Sequence, residues 1–531
     1  MSLKKHFKTL FLSLCLILAA ILPSFAGTTR IYFGPLGGFA TINNARTLVL
    51  QNGERLPATL SNSIIHKFDS LKEGSLAKIA MYSMSDFVAL DAMIDAAYKK
   101  NVEVRLLLDN VTTWANESVA RIVARVAEAK EKAESEGIDF KFIIAGVSKD
   151  LMIRNGRSYL LDDGTLIVGT MHEKFGVFYE PGAKVPFDSF SGSANISVTS
   201  DQIYGENRVF FEDQPAVARQ LAEEFARLWN EYGEPLLGEK KPEKYIETSP
   251  VPGYASIYFN SEPENELSQT RLDSKIMELI SRAETSLDLG MFSFTRPELA
   301  QALLAQAKRY PDAKFRILLD HAQMHDENPD ESKLAPWLES EAERLGIENI
   351  EIRYRFRKNA YSYNPETDKT ELLSYLSKFW HHKNITVNDS EMIVGSYNWS
   401  NSAEYINYEN LVFFNGAFEG HADVIRRFKA EFDALFEASE GRKNSKGVYC
   451  RTVTLKEGRA EFKKIFEALK RDDAYKAQSA LGRDAVKDFD TLLQETGMSR
   501  KKLQKVLAGL VRAGILTRTE TDGKTLYKQA D

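Results

Sequence analysis

Hydrophobic and polar positions follow one order that occurs twice along the 531-residue chain. In the first copy, an apolar stretch at 75–83 precedes an amphipathic stretch at 87–98 and a second apolar stretch at 104–109. Short apolar runs between polar residues indicate buried strands, and apolar residues at helical spacing indicate an amphipathic helix. The order strand, helix, strand predicts a βαβ unit whose two strands are parallel and buried.

The second copy has apolar stretches at 286–293 and 315–320 around an amphipathic stretch at 297–307. In both copies a more charged, helical segment then leads to a further strand, near 139–144 in the first and 350–356 in the second. Because the two halves repeat the same order of elements, the sequence predicts two equivalent α/β domains in tandem.

Each copy closes with a short apolar strand and a long helix. The strands are predicted at 209–211 and 411–414, and the helices at 215–232 and 416–439. A stretch rich in Pro and Lys at 238–245 has the composition of a linker, so we place the boundary between the halves there.

The first 26 residues differ from the rest of the chain. Lys4, Lys5 and Lys8 precede an apolar run at about 10–22, and small residues follow up to Ala26. This pattern predicts a secretory signal cut after Ala26, and hence an exported protein that is periplasmic or secreted, with no transmembrane segment in the mature chain. The alternative, a membrane anchor, is disfavoured because the run is too short to span a bilayer comfortably.

The composition is that of an ordinary globular protein, with 43% hydrophobic and 27% charged residues. Of the two cysteines, Cys15 would leave with the signal, and Cys450 would then stand alone. The mature chain is therefore expected to lack an internal disulfide and a cysteine metal site, so its stability depends on packed cores.

The C-terminal segment carries charge of the opposite sign to the rest. Residues 441–531 contain 21 Lys and Arg against 12 Asp and Glu, a net +9, so the remainder of a chain of net charge −6 carries −15. A helix at 484–495, a basic helix at 499–514 and a hairpin around Asp522–Gly523 resemble a small α+β winged helix-turn-helix, which would contact nucleic acid. The alternative is a small packing or oligomerisation domain. The expected organisation is a signal peptide, two α/β halves and a basic winged-helix-like domain, at 1–26, 27–240, 250–440 and 450–531.

Each half also carries the same ordered set of polar residues. The set is a His-x-Lys triplet, a Gly-Ser-x-Asn tetrapeptide and a glutamate 11 residues after the Asn. Its members are His172, Lys174, Ser193, Asn195 and Glu206 in the first half and His381, Lys383, Ser396, Asn398 and Glu409 in the second. A chain with eight histidines is not expected to repeat this set by accident, so the sequence predicts two equivalent half-sites.

These residue types suit the cleavage of a phosphodiester. A neutral imidazole is a competent nucleophile and proton carrier near neutral pH. Lysine ammonium groups and asparagine amides can donate hydrogen bonds to the non-bridging oxygens, and a carboxylate can hold an imidazole in one tautomer. Two imidazoles at one phosphorus atom would divide the work, because one attacks while the other protonates the leaving oxygen.

The doubled set resembles the phospholipase D superfamily, whose signature is H-x-K-x(4)-D followed by G-S-x-N, over roughly residues 60 to 435. The resemblance implies a mixed sheet flanked by helices in each half, pseudo-two-fold symmetry, a site where the halves meet and catalysis without a metal or other cofactor. It implies that His172 is the nucleophile and His381 the acid, and that a monomer suffices because both half-sites lie in one chain. The lysines and asparagines would bind phosphate, the glutamates would support the histidines, and Ser193 and Ser396 would stabilise the loop or the phosphate.

The sequence departs from that signature in two places. The motif Asp position holds Tyr179 in the first copy and Asn388 in the second, where Asp389 comes one residue late. The first copy also has 18 residues from Lys to the Gly of Gly-Ser, against 12 in the second. Both departures concern residues without a direct chemical role, so an active enzyme remains the prediction, with an inactive duplicated scaffold as the alternative.

Other polar and aromatic candidates are weaker. His382 should lie on the opposite strand face from His381, which indicates a structural role. His321 and His325 lack a third metal ligand nearby, so a solvated loop is expected. Trp380 and Trp399 flank the second half-site, where packing is the favoured role and a stacking platform the alternative.

The substrate stays open between two classes. Phospholipid is favoured by the resemblance and by the expected export. DNA or RNA is favoured by the basic tail and by a basic stretch at 353–358 followed by Tyr361 and Tyr363. A nucleic-acid-binding module without catalysis is the third reading.

Overall fold

The computed structural model of the protein divides into two units, Met1–Ser439 and Glu440–Asp531. The expected signal segment and the pair His321 and His325 lie outside the residues that the structure describes. Those residues are 27–34, 48–49, 55–56, 60–161, 163–197, 199–200, 204–246, 248–261, 272–320, 323, 334–355, 360–364, 369–374, 380–437, 440–441, 487–496, 499–501, 503–504, 507, 516–521 and 524–529.

The first half of the larger unit alternates strands with helices. Its elements are β1 (Thr28–Phe33), β2 (Leu48–Val49), β3 (Arg55–Leu56), α1 (Leu60–Ser70), β4 (Leu76–Met81), α2 (Phe87–Lys100), β5 (Glu103–Asn110), α3 (Thr113–Ser135), β6 (Phe142–Ser148), α4 (Lys149–Arg154), β7 (Ser158–Leu160), β8 (Leu166–Val168), β9 (Lys174–Tyr179), β10 (Asp188–Gly192), β11 (Asn207–Glu212), α5 (Pro215–Tyr232) and β12 (Gly233–Leu237).

The second half repeats this order. Its elements are β13 (Ser256–Phe259), α6 (Leu272–Ile280), β14 (Ser286–Met291), α7 (Pro297–Arg309), β15 (Lys314–Asp320), α8 (Leu334–Arg344), β16 (Ile350–Arg355), β17 (Ala360–Asn364), β18 (Lys369–Ser374), β19 (Lys383–Val387), β20 (Glu391–Gly395), α9 (Asn401–Tyr405), β21 (Asn410–Asn415) and α10 (His421–Glu437).

The strand order confirms the predicted duplication. In the first half it is β1–β11–β10–β9–β4–β5–β6–β12, and in the second it is β13–β21–β20–β19–β14–β15–β16. The adjacent strands β4, β5 and β6 are parallel, as are β14, β15 and β16, while β9 and β19 run antiparallel to β4 and β14. The predicted tandem α/β fold with mixed sheets is therefore confirmed.

The topology brings each His-x-Lys segment to one sheet edge. Lys174, the first residue of β9, pairs with Met81 at the carboxyl end of β4, and Lys383 pairs with Met291 in the same way. Loops that leave the carboxyl ends of parallel strands collect at one edge, so this edge is where side chains from several loops can meet.

Three predicted boundaries differ from the observed ones. The strand expected at 139–144 is β6 (Phe142–Ser148), and β12, which the sequence pattern did not predict, pairs antiparallel with it. The helix expected at 416–439 starts only at His421, because β21 continues to Asn415 and a turn through Gly420, at φ 79°, separates the two elements. The histidine of each His-x-Lys triplet precedes its strand, which begins at the lysine.

The packed cores lie on both faces of the sheets. One buried cluster includes Phe175, Val209 and Trp229 of the first half together with Val394 and Val412 of the second, so apolar side chains from the two halves share a core. Burial of apolar surface between them stabilises their association, at about 25 cal/mol per Å² removed from water.

The smaller unit contains a short strand β22 (Glu440–Gly441), a strand β23 (Lys487–Asp488), a helix α11 (Phe489–Thr496) and a hairpin of β24 (Leu516–Thr521) and β25 (Lys524–Gln529). The strand order β23–β25–β24 gives a three-stranded sheet in which the hairpin pairs with the strand that precedes the helix. The turn at Asp522–Gly523 and most of the expected helix at 499–514 lie outside the described residues, so the winged helix stays a prediction.

Candidate active site

The first histidine of each triplet lies at the contact between the two halves. The backbone N–H of His172 donates to the carbonyl of Tyr408 at 3.0 Å, and the N–H of His381 donates to the carbonyl of Gly205 at 2.9 Å. Tyr408 and Gly205 are the residues directly before the two glutamates of the repeated set. The chain thus places each histidine beside the glutamate of the opposite half.

The side chains complete this crossed arrangement. Nδ1 of His172 lies 2.9 Å from a carboxylate oxygen of Glu409, and Nδ1 of His381 lies 2.8 Å from a carboxylate oxygen of Glu206. Both glutamates are fully buried, and both imidazoles are nearly so. The structure therefore brings together residues that the sequence places far apart, and each half-site is incomplete without the other half.

Electrostatics decide the tautomer of both imidazoles. Burial alone would raise the pKa of Glu206 and Glu409, but the neighbouring histidines and lysines lower it below the usual range. Burial lowers the pKa of His172, and it lowers that of His381 to about 4, against the pull of the glutamates. At neutral pH the glutamates are ionised and can only accept, so each Nδ1 carries the proton and each Nε2 keeps its lone pair.

The two lysines are buried next to the histidines. Lys174 donates through Nζ to the carbonyl of His172, and Lys383 donates to the carbonyl of His381 at 2.7 Å. Burial lowers the pKa of Lys174 to about 8, and burial together with the charge of Lys174 lowers the pKa of Lys383 to about 7. Two buried ammonium groups that repel each other favour an anion bound between them.

The two asparagines of the set have an unsatisfied side-chain oxygen. Oδ1 of Asn195 and Oδ1 of Asn398 are buried without a hydrogen-bond partner among the described residues. Buried polar atoms are normally paired, and an amide can present either of its ends, so each side chain can offer an N–H to the oxygen of a ligand.

The motif serines contact the glutamate loops. Ser193 Oγ accepts the backbone N–H of Asn207 at 2.9 Å, and Ser396 Oγ accepts that of Asn410 at 3.0 Å. Hydrogen bonds from the same hydroxyls help to lower the pKa of Glu206 and Glu409. Of the two roles expected for these serines, their contacts in the structure correspond to stabilisation of the loop.

Two aspartates outside the sequence motif accept hydrogen bonds from the backbone directly before the histidines. Asp109 Oδ1 accepts the backbone N–H of Met171 at 2.9 Å, and Asp320 Oδ2 accepts that of Trp380 at 2.8 Å. Both are buried, and burial raises the pKa of Asp109 to about 7. The available signal was their equivalent position, since each lies at the carboxyl end of an apolar strand of the repeat.

Aromatic rings next to the histidines were also missed. Tyr82 contacts the His172 ring edge-on at 4.7 Å between centroids, and Phe292 contacts that of His381 at 4.8 Å. Each directly follows the equivalent strand, β4 or β14. Trp114 packs on Tyr82 at 5.5 Å and is 46% exposed, so the first half-site has an aromatic wall that reaches solvent.

The departures from the signature lie at the other end of the strands. The hydroxyl of Tyr179 lies 3.2 Å from Nζ of Lys78. Asn388 Oδ1 accepts the backbone N–H groups of Glu284 and Thr285 at 3.0 and 2.9 Å, which fixes the turn before β14. Tyr179 ends β9 and Asn388 directly follows β19. Both residues therefore lie at the end of the strand that is far from the histidine.

The remaining candidates are packed in the interior. His382 is fully buried, its Nδ1 lies 3.0 Å from Nδ2 of Asn207, and its ring packs on Trp380 at 4.3 Å between centroids. Trp380 and Trp399 are each 1% exposed. No group of three or more His, Cys, Asp or Glu side chains within the described residues could hold a metal ion. Among the same residues, no helix combines the length and apolarity needed to cross a bilayer.

Comparison with known families matches both halves. The family model described as "Cardiolipin synthase, PLD-like domain" matches residues 68–229 and 276–436, well over half of the chain. The chain is 25% identical over 167 residues to mitochondrial cardiolipin hydrolase of Danio rerio and 24% identical over 164 residues to that of Xenopus laevis. These matches cover 32% and 31% of this chain and 58% and 60% of the relatives, so the chain spans about three-fifths of the length of the curated relatives it matches.

Solved structures share the fold. A phosphatidylserine synthase from Haemophilus influenzae Rd KW20 matches 81% of this chain and 96% of its own, with a TM-score of 0.50 and 14% identity. NucT from Helicobacter pylori matches 35% of this chain and 98% of its own, with a TM-score of 0.25 and 18% identity. At such identity the first match shows the tandem fold alone.

Proposed function

This chain belongs to the family of phospholipase D-like domains, and on that premise we propose that it is a phosphodiesterase whose own side chains carry out a two-step displacement at phosphorus. The observation that carries the proposal is the crossed pair of hydrogen bonds, His172 to Glu409 and His381 to Glu206. This arrangement gives each imidazole a fixed tautomer with a reactive Nε2, which both a nucleophile and a proton carrier require.

The charge balance of the centre favours a phosphodiester monoanion. Two ionised glutamates and two lysine ammonium groups cancel, and both imidazoles are neutral. A bound monoanion then adds one negative charge, which raises the proton affinity of the site. We assign the proton that the site takes up on binding to the imidazole of His381, because His381 acts as the general acid of the first step.

In the first step, Nε2 of His172 attacks phosphorus and the bond to the leaving oxygen breaks. The proton on Nε2 of His381 passes to that oxygen, so the leaving alcohol departs neutral and a phosphohistidine forms. In the second step, neutral His381 takes a proton from water, the hydroxide attacks phosphorus and the P–N bond breaks. His172 regains its lone pair at Nε2, and His381 is left protonated as at the start of the first step.

Lysine and asparagine side chains stabilise the charge that develops on the non-bridging oxygens. Lys174, Lys383, Asn195 and Asn398 are donors held in a buried site, where each hydrogen bond to an anion is stronger than in water. Glu206 and Glu409 stabilise the imidazolium that forms on the opposite half.

We propose phospholipid as the substrate class. Support comes from the matched family description and from the curated relatives, which are described as cardiolipin hydrolases. Nucleic acid is the second candidate, because the tail at 441–531 carries a net charge of +9 and would supply the electrostatic part of binding.

One assay separates these substrates. Purified protein in EDTA is offered phosphatidylcholine, cardiolipin, single- and double-stranded DNA, and RNA. We expect release of a lipid alcohol or phosphatidate without cleavage of nucleic acid. Fragments of DNA or RNA alone would reject the lipid proposal, and salt-sensitive nucleic-acid binding with no cleavage at all would reject the enzyme.

We further propose that the protein acts as an exported monomer. The support is the signal-like pattern at 1–26 and the presence of both half-sites in one chain. N-terminal sequencing of protein from the extracellular or periplasmic fraction should begin at Gly27. An active species of dimer mass would contradict the monomer.

A further inference from the structure

Each active glutamate accepts a hydrogen bond from a side chain outside the repeated set. Nδ2 of Asn407 donates to Oε1 of Glu409 at 3.0 Å. The hydroxyl of Ser200 donates to Oε1 of Glu206, also at 3.0 Å. The two donors do not occupy equivalent positions, because Asn407 lies two residues before its glutamate and Ser200 lies six residues before its own. The sequence repeat therefore identifies neither of them.

The orientation of the Asn407 amide is determined at both of its ends. Its Oδ1 accepts the backbone N–H of Thr170 at 3.1 Å and lies 3.4 Å from the Thr170 hydroxyl. A backbone N–H can only donate, and an ionised carboxylate can only accept. The amide oxygen therefore faces Thr170, and the NH2 group faces Glu409.

The backbone on both sides of Asn407 is held as well. The side chain of Asn260, directly after β13, donates to the carbonyl of Asn407 at 3.0 Å and accepts the backbone N–H of Glu409 at 2.7 Å. The backbone N–H of Asn407 donates to the carbonyl of Ser402 at 2.8 Å. These contacts keep the half-buried amide of Asn407 next to Glu409.

Asn407 therefore contacts both segments that meet at His172. The backbone N–H of Tyr408 donates to the carbonyl of Thr170 at 2.9 Å, and that of His172 donates to the carbonyl of Tyr408 at 3.0 Å. Nδ1 of His172 lies 2.9 Å from each oxygen of Glu409. A donor on Oε1 limits rotation of this carboxylate, so it fixes the direction in which the imidazole proton is held.

Ser200 has the corresponding place at the other histidine. It is fully buried, and it donates to the same oxygen of Glu206 that lies 2.8 Å from Nδ1 of His381. Its backbone N–H donates to the hydroxyl oxygen of Ser197 at 3.2 Å, which fixes the donor in turn. One glutamate is thus held by an amide and the other by a hydroxyl.

We propose that Asn407 and Ser200 are positioning residues, each for the histidine of the other half. Asn407 fixes Glu409 and through it His172. Ser200 fixes Glu206 and through it His381. The effect on the two chemical steps rests on the proposed function, whereas the effect on the hydrogen bonds of the free protein does not.

The hydrogen bonds are tested in the full-length protein without substrate. The Nδ1–H protons of His172 and His381 should each give a ¹H resonance at high frequency, assigned by its loss in the corresponding His→Asn protein. Asn407→Ala should shift the His172 resonance to lower frequency and leave that of His381 in place. Ser200→Ala should do the reverse. Each variant is the control for the other, because the unshifted resonance shows that the centre is folded.

A second substitution at position 407 separates donation to Glu409 from the contact with Thr170. Asn407→Asp keeps an acceptor for Thr170, but an ionised Asp cannot donate to Glu409. We expect Asn407→Asp to shift the His172 resonance at least as far as Asn407→Ala does. A wild-type resonance in Asn407→Asp would show that Asn407 only holds the Thr170 segment, and it would overturn the proposal for this residue.

Rapid-quench kinetics with a nitrophenyl phosphodiester measure the two chemical steps. Asn407→Ala should slow formation of the adduct on His172 by about tenfold, as expected for the loss of one hydrogen bond to a charged group, with a smaller effect on hydrolysis. Ser200→Ala should slow hydrolysis of the adduct by a similar factor, with a smaller effect on its formation.

The outcomes separate this proposal from the proposed function. Unshifted resonances in both alanine variants, or equal shifts of both resonances in each variant, would overturn the positioning roles. Shifted resonances with wild-type rates of both steps would also overturn them, because the hydrogen bonds would then not matter for catalysis. If the resonances shift as expected and the wild type cleaves no phosphodiester, the proposed function fails and the assigned hydrogen bonds stand.

Discussion

In the first half, the end of β9 far from His172 carries Tyr179 beside a buried Lys78–Glu243 pair. In the second half, Asn388 accepts from the turn before β14, and the charged pair on the strands is Asp288–Arg316. The two histidine ends, in contrast, share the contact of each histidine with the glutamate of the other half and the hydrogen bond from each lysine to the histidine carbonyl. Under the proposed function, the two halves are equivalent where both act on one substrate, and they differ at the strand ends far from the histidines.

The divergence inverts the charge at equivalent positions. Lys78 on β4 and Asp288 on β14 each lie three residues before the strand's last methionine. Lys78 Nζ lies 2.8 Å from Glu243, whereas Asp288 accepts from Arg316 at 2.6 and 2.7 Å. Both solutions neutralise a buried charge, so the fold requires neutrality there and not a particular residue.

The largest effect should follow removal of either histidine. His172→Asn and His381→Asn are each expected to lower kcat by about 10³-fold or more, because one removes the nucleophile and the other the proton carrier. With a nitrophenyl phosphodiester, whose leaving group needs no proton, only His381→Asn should accumulate a phosphate adduct, on His172. Peptide mapping by mass spectrometry of the quenched protein reads this directly, and an adduct on His381 in the His172→Asn protein would reverse the assigned roles.

The crossed hydrogen bonds should give the next largest effect. Glu409→Gln and Glu206→Gln keep the shape but remove the charge that fixes each tautomer, so a loss of about 10²- to 10⁴-fold in kcat is expected. With the nitrophenyl ester, whose leaving group needs no proton, the two steps distinguish them. Glu409→Gln should slow formation of the adduct on His172, and Glu206→Gln should slow its hydrolysis. Rapid-quench kinetics measure both rates, and loss of the same step in both variants would contradict the crossed assignment.

The buried lysines should make anion binding depend on pH. Free Lys383 has a pKa of about 7 and Lys174 one of about 8, and a bound anion favours their charged forms. The affinity for sulfate, which keeps its charge in this range, should fall by up to about tenfold per pH unit above about pH 6 for each proton involved. Calorimetry from pH 5.5 to about 9 tests this, and affinity independent of pH would show that neither lysine titrates.

The sequence predicted the residues of this centre but not which glutamate contacts which histidine. The fixed spacing from Asn195 to Glu206, and from Asn398 to Glu409, identifies the glutamates as part of each repeat. Spacing within one copy carries no information on contacts between the two copies. The contact of each glutamate with the histidine of the other half is therefore visible only in the packing of the two halves.

Asp109 and Tyr82 were not predicted as site residues, and the reason is the same for both. Asp109 and Tyr82 reach the centre because parallel strands end at the same edge, and such a meeting depends on sheet order and not on a local motif. The strand β12 was missed because its pairing with β6 is a tertiary contact of a short segment that contains Pro235.

The smallest effect on catalysis should come from substitutions near the strand ends far from the histidines, where the two halves differ. Lys78→Met removes one partner of a buried pair and leaves Glu243 with Arg105, so the free energy of unfolding should fall by about 1–3 kcal/mol. Asp288→Asn leaves Arg316 its contact with Asp433 at 2.7 Å and should cost about 1 kcal/mol. In both variants kcat per folded molecule should equal that of the wild type, as measured by denaturant unfolding and by hydrolysis of the same ester. A loss of kcat in either variant, at full folding, would mean that the far ends are coupled to the histidines and that their divergence is functional.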